Sequence, residues 1–193
     1  MSKLLLSSYG LTSKVGRDLI FKELKKDEDL GNKVIFLFHE PYFHIADILV
    51  NVCMEIGFKQ ENIFLVNSED SVCHVREADY IYITEGNTFE ILALLREYGL
   101  EEPIKEAVKT DATYIGASAG AMLAGVDIEE AYYMDRNHIM IKNLKALGLF
   151  DGIILPHYEP EERECYIANS PEITKKYNTI LSVENDGLIV LEV

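Results

Sequence analysis

Basic residues are scarce in this sequence of 193 residues: 18 lysines and arginines face 33 aspartates and glutamates, for a formal net charge of −15. That sign excludes general binding to nucleic acid or to an anionic membrane. An anionic substrate would need a local cation. Cysteine is equally sparse. Cys53, Cys73 and Cys165 are odd in number and lack metal-ligand spacing, so they read as free thiols in a reducing cytosol, with no metal site. No apolar run approaches the roughly 20 residues that cross a bilayer. Leu4-Leu5-Leu6 is too short for a signal-peptide core and reads as a first strand. Repeats, low-complexity tracts and Pro/Gly/Ser linkers are missing too, so residues 1–193 are expected to form a single domain.

What is present alternates. Strand-like runs fall at Lys3 to Ser8, Lys33 to Phe38, Asn62 to Val66, Asp79 to Thr84 and Thr113 to Gly116. Helical patterns lie between them: Ser13 to about Lys26, Ile45 to Ile56, Phe89 to Tyr98 behind a Thr88 cap, and Pro103 to Lys109. The run Lys33 to Phe38 is almost continuously apolar, as a strand covered on both faces requires. The alternation predicts an α/β domain, a mostly parallel sheet between layers of helices. The last third is less regular. Ile153 to Leu155 reads as a strand and Glu161 to Ala168 as a helix. Thr179 to Val183 and Gly187 to Val193 read as a terminal hairpin joined through Glu184-Asn185-Asp186.

One apolar run ends in an unusual way. Gly116-Ala117-Ser118-Ala119-Gly120 fits G-x-S-x-G, a strand-to-helix turn that lifts a serine clear of the sheet. Such a turn bends the serine backbone sharply and brings its neighbours close, which larger side chains would prevent. The free N–H of Ala119 would then face charge developing beside Ser118. The plainer alternative is a tight turn in which Ser118 only caps a helix.

A serine hydroxyl needs a general base, and the base needs an orienting acceptor. His157 follows the strand Ile153-Ile154-Leu155-Pro156, so it would project from the same carboxyl edge as Ser118. His39, after Phe36-Leu37-Phe38, competes with it. His44, His74 and His138 read as surface or loop histidines. Acidic candidates between Ser118 and His157 are Asp127, Glu129, Glu130, Asp135 and Asp151. Gly86, in Thr84-Glu85-Gly86-Asn87-Thr88, joins another strand end to a helix and would bring a second backbone N–H to an oxyanion.

Ser118-Ala119-Gly120-Ala121, Gly86-Asn87-Thr88-Phe89 and Pro156-His157-Tyr158, in this order and spacing, resemble the dipeptidase E-like serine peptidases, α-aspartyl dipeptidases related to cyanophycinases. The resemblance runs from the first strand to the last. It implies a three-layer sandwich similar to class I glutamine amidotransferases, with the nucleophile on a strand-to-helix elbow. It implies Ser118 as nucleophile, His157 as base, and an oxyanion hole from Gly86 and Ala119. It also implies removal of an N-terminal aspartate from short peptides without a metal; no cofactor is expected, and the chain is expected to be a cytoplasmic monomer or homodimer. The family's usual offset for the triad aspartate lands on Tyr133. A two-residue shift in the loop brings Asp135 into register, with Asp127 and Glu129 in reserve. Where the family carries glycines before the Asn-Thr pair, this chain has Thr84 and Glu85. The Glu85 carboxylate would either oppose the oxyanion or hold the substrate's amino group, beside Asn87. Arg163 is the first choice as a clamp for an acidic side chain, with Arg136 behind it. Two other classes remain open: an α/β-hydrolase esterase, for which the span from Ser118 to His157 is short, and a non-catalytic binding protein on the same scaffold.

Overall fold

Every long strand is apolar on both faces, and this fixes the architecture. In the computed structural model, which describes residues 2–67 and 70–193, strands β1 (Lys3–Ser7), β2 (Ile35–Phe38), β3 (Ile63–Leu65), β4 (Tyr80–Ile83), β5 (Thr113–Ala117) and β8 (Leu188–Glu192) form one sheet. Their order is β3-β2-β4-β5-β1-β8. All neighbours run parallel except β8, which pairs antiparallel with β1. Leu4 and Leu6, Phe36 and Phe38, Ile81 and Ile83 point into one core with Tyr114. Leu5, Ile35, Leu37, Tyr80, Tyr82 and Ile115 point into another. This period-two split means that each strand must be covered twice.

The helices supply both covers. Ile20 and Leu24 of α1 (Lys14–Leu24) and Leu49, Val52, Cys53 and Ile56 of α2 (Ala46–Ile56) close the second core. The first core is closed by α3 (Ser71–Glu77), α4 (Thr88–Glu97), α5 (Glu101–Thr110) and α6 (Ala119–Leu123), through residues such as Val75, Phe89, Leu92, Ile104 and Met122. Each fully buried Leu, Ile or Phe contributes about 1.5–3 kcal/mol of transfer free energy. The expected α/β sandwich with a mostly parallel central sheet is what the chain forms. No helix among the described residues is long and apolar enough to cross a membrane.

Two features depart from the sequence reading. Ser71–Glu77 is helical, and it stacks His74 on the Phe64 ring at 4.1 Å, so His74 is not a loop residue. The expected terminal hairpin does not exist. β7 (Ile180–Val183) instead pairs parallel with β6 (Ile153–Pro156) in a separate two-stranded sheet. β8 crosses to the main sheet, so the turn at Glu184 to Gly187 links two sheets. The small sheet has its own core of Ile153, Leu155, Ile173 and Tyr177. Tyr166 and Ile167 of α7 (Pro160–Asn169) pack against it. Ile173 lies on α8 (Ile173–Lys176).

Helix α6 lies directly on β4 and β5. A Cβ on Gly116 would sit 2.5 Å from the Gly120 carbonyl oxygen, and a Cβ on Gly120 would sit 2.2 Å from that of Ile83. Backbone stands on both sides, so neither contact relaxes cheaply. Gly120→Ala is therefore expected to cost about 3 kcal/mol in urea unfolding. Gly99→Ala, at φ 66 but in open space, should cost only about 1 kcal/mol. Equal costs at the two positions would contradict this account of the elbow.

Candidate active site

Ser118 joins β5 to α6 with φ 47 and ψ −105, a conformation that L-residues seldom hold. Four hydrogen bonds maintain it. Ser118 N donates to Ser7 O at 2.8 Å, Met122 N to Ser118 O at 3.0 Å, and Gly120 N to Thr84 O at 3.2 Å. The buried Tyr114 hydroxyl donates to Gly120 O at 2.6 Å. His157, just past β6, is also left-handed, at φ 65. Its Nε2 lies 3.1 Å from Ser118 Oγ. Both side chains are half-buried, so the pair is reachable from solvent.

The other ring nitrogen, Nδ1, lies 2.7 Å from Asn185 Oδ1. An amide oxygen only accepts, so Nδ1 carries the proton and Nε2 turns its lone pair to the serine hydroxyl. Asp135, expected in this place, is engaged elsewhere. Its Oδ2 accepts from Thr88 N at 2.8 Å and from Thr88 Oγ1 at 2.6 Å, where the carboxylate complements the positive end of α4. The reserve acids have other partners as well. Asp127 accepts from Tyr177 and Lys176, and Glu129 from Lys176. Glu130 bonds Tyr166, and Asp151 bonds Asn178. Burial holds the Glu130 carboxyl above its ordinary value.

Ser8 ties these parts together, which sequence reading did not foresee. Its hydroxyl accepts from His157 N at 2.8 Å and donates to Val183 O at 2.8 Å. One buried side chain at the end of β1 thus fixes the backbone under the imidazole and the backbone two residues before Asn185. Asn185 was missed for a clear reason: in a hairpin reading its turn leads nowhere near His157. The Tyr9 ring meets the imidazole edge-on, with centroids 5.3 Å apart.

Gly86 has φ 146, and a Cβ there would lie 2.2 Å from the Tyr42 ring, so glycine is required twice over. The Gly86 and Ala119 amides have no acceptor among the described residues. Asn87, not Thr88, caps α4: its Oδ1 accepts from Phe89 N and Glu90 N at 3.1 Å each. Its Nδ2 donates to Arg136 O at 3.0 Å. The Glu85 carboxylate turns to the loop after β1, bonding Thr12 Oγ1 and Gly10 N. Arg163 Nη2 donates to Ile180 O at 3.0 Å. His39 is 4% exposed, and its Nδ1 has no partner among the described residues. Desolvation lowers its pKa, and its ring faces Phe43.

Fold and site together define an α/β protein that presents a serine on a strand-to-helix elbow to a neighbouring histidine. The sequence model of peptidase family S51 matches residues 39–192, and the chain belongs to that family. It is 37% identical over 109 residues to an uncharacterized peptidase of Listeria monocytogenes, covering 54% of this chain and 49% of the relative. It is 42% identical over 89 residues to peptidase E of Citrobacter koseri, covering 46% and 38% respectively. The matched segments thus span about half or less of these curated relatives. A crystal structure of a peptidase E-type protein from Listeria monocytogenes superposes with a TM-score of 0.71 at 23% identity, over 100% of this chain and 99% of that one. A peptidase from an acI-B1 Actinobacterium superposes at 0.66 with 18% identity, over 100% and 84%.

The hydrogen bonds around His157 make the neutral ring a single tautomer. Nitrogen NMR near pH 8 should show the His157 proton on Nδ1, and Asn185→Leu should mix the two tautomers. A dominant Nε2–H form in the unaltered protein would overturn the geometry. Ser8→Ala strands the His157 N–H and the Val183 carbonyl, and should cost about 2 kcal/mol of stability.

Proposed function

We propose that the protein is a serine peptidase acting on short peptides, with aspartate at the N-terminal position as the preferred residue. The observation that carries this reading is the 3.1 Å approach of Ser118 Oγ to His157 Nε2. In the proposed reaction Oγ attacks the carbonyl carbon of the scissile peptide while Nε2 takes the hydroxyl proton. The carbonyl oxygen becomes an oxyanion, received by the N–H groups of Gly86 and Ala119. The tetrahedral intermediate collapses as His157 returns the proton to the leaving nitrogen, which departs as an amine. The acyl group stays on Ser118. Water, deprotonated by the same imidazole, then releases the acid and restores the serine.

Asn185 in the third position orients the imidazole without a full negative charge beside it. The imidazolium of each transition state is then held less tightly than a carboxylate would hold it. The Glu85 carboxylate supplies the charge that a free amino group requires. It acts from a fixed position, because Thr12 Oγ1 and Gly10 N both donate to it. Arg163 keeps most of its five donors after bonding Ile180 O, and serves in this reading as the clamp for an acidic side chain. Asn87 acts through the wall that it supports. A non-catalytic role on the same scaffold draws on one observation, the neutral amide at Asn185.

Hydrolysis of aspartyl dipeptides decides between them. Ser118→Ala and His157→Ala should each lower kcat/KM by about 10³ or more with folding retained. Asn185→Asp should raise kcat, since it places a charge where the amide stands. Full activity in Ser118→Ala would remove the nucleophile from this scheme, and no turnover by the unaltered protein would favour the binding role.

A further inference from the structure

The loop after α6 lines a shallow, wide-open cavity of about 780 Å³ that the proposed chemistry does not use. It is framed by Tyr132, Tyr133, Met140, Arg136 and Lys142. The loop is fastened beside the site. Asp135 bonds Thr88, and Asn87 Nδ2 bonds the Arg136 carbonyl, so the cavity adjoins the segment that carries the Gly86 amide. On the other flank the Tyr133 ring meets Tyr166, with centroids 5.2 Å apart, and Tyr166 meets Tyr158, the residue after His157.

Its walls are pre-set. Asn137 Nδ2 donates to Ile141 O and to the Tyr132 hydroxyl, each at 2.9 Å, and Asn137 Oδ1 accepts from Ile141 N at 3.0 Å. The lining joins two chemistries. Tyr132, Tyr133 and Met140 are 56%, 67% and 78% exposed, a concentration of exposed apolar surface of the kind found at binding sites. The Arg136 and Lys142 side chains have no carboxylate partner among the described residues. The one acid of the cavity, Asp135, is turned into Thr88, and the nearby His138 pairs with Glu90 at 2.8 Å. In a chain of net charge −15, two cations left free in one cavity form a local site for an anion.

We propose that this cavity is the subsite for the C-terminal residue of a short peptide: the aromatic and methionine surface takes a large apolar side chain, and Arg136, supported by Lys142, takes the free carboxylate. A guanidinium fork suits that planar anion. The occupant's identity rests on the peptidase reading; the cavity and its charge do not. Arg136 is a specificity residue here, since its backbone rather than its side chain is what Asn87 anchors.

The test is calorimetric, in the Ser118→Ala background, with aspartyl-phenylalanine and its C-terminal amide as probes. The free acid should bind about tenfold more tightly than the amide. Adding Arg136→Gln should reduce that ratio to within about twofold, and Arg136→Lys should keep most of it. An acid-to-amide ratio near one, a ratio unmoved by Arg136→Gln, or no binding of either probe would each overturn the subsite. Hydrolysis of the same dipeptide by the unaltered protein is read separately. Binding with the expected ratio but without turnover would leave the subsite standing and remove the peptidase reading, and turnover without the ratio would do the reverse.

Discussion

The contact on which the site depends is the approach of one backbone to another, where the first turn of α6 rests on the end of β4. Gly120 N reaches Thr84 O at 3.2 Å, and the space for a Cβ at Gly120 is already filled by the Ile83 carbonyl. At that contact β5 turns into α6 through Ser118 at φ 47. Gly86 follows Thr84 by two residues, so this contact lies close to both proposed oxyanion donors. The strain at Ser118 is held by tertiary contacts on each side, as a left-handed residue requires. The small residues of the motif follow from this packing before any chemistry is considered.

The histidine half is held by different means. Its strand, β6, belongs to the small sheet and makes no ladder with β5. Ser8, just past β1 of the large sheet, supplies a connection: its hydroxyl bonds the backbone just past β6 at His157 and the last residue of β7, Val183. The serine and the imidazole therefore meet across a joint between two sheets. At this joint His157 holds a second positive φ, and the Tyr9 ring stands edge-on against the imidazole.

The legibility of the sequence follows the same division. The central strands announce themselves because both faces are buried, and their continuous apolar runs admit few other structures. Ser118 and Gly86 were legible because close backbone approach demands glycine and alanine. The two C-terminal strands were separately visible, but nothing in them told which sheet each would join. A turn of Glu184-Asn185-Asp186-Gly187 serves a hairpin or a crossing equally well. Misplacing that turn hid Asn185. It also left the third position to Asp135, whose carboxylate instead serves the end of a helix. Thr88 and Asn87 exchanged the capping role for a smaller reason: adjacent Asn and Thr are both good caps, and backbone dihedrals decide between them.

A neutral residue beside the imidazole changes where the negative charge of the proposed mechanism resides. Asn185 is flanked by Glu184 and Asp186, and Glu159 follows His157 by two positions. Desolvation raises the Glu159 pKa, and repulsion from Glu184 and Asp186 raises it further, so these carboxylates share one neighbourhood. None of the three is hydrogen-bonded to the imidazole among the described residues. All three are exposed, and salt screens their field over about 8 Å at physiological ionic strength. A buried, hydrogen-bonded carboxylate would stabilise the imidazolium more and depend less on salt. The amide at Asn185 therefore fixes the tautomer without placing a full charge against the ring. Against the same acidic background, the Arg136 and Lys142 side chains of the 132–142 loop stand out as a local positive patch.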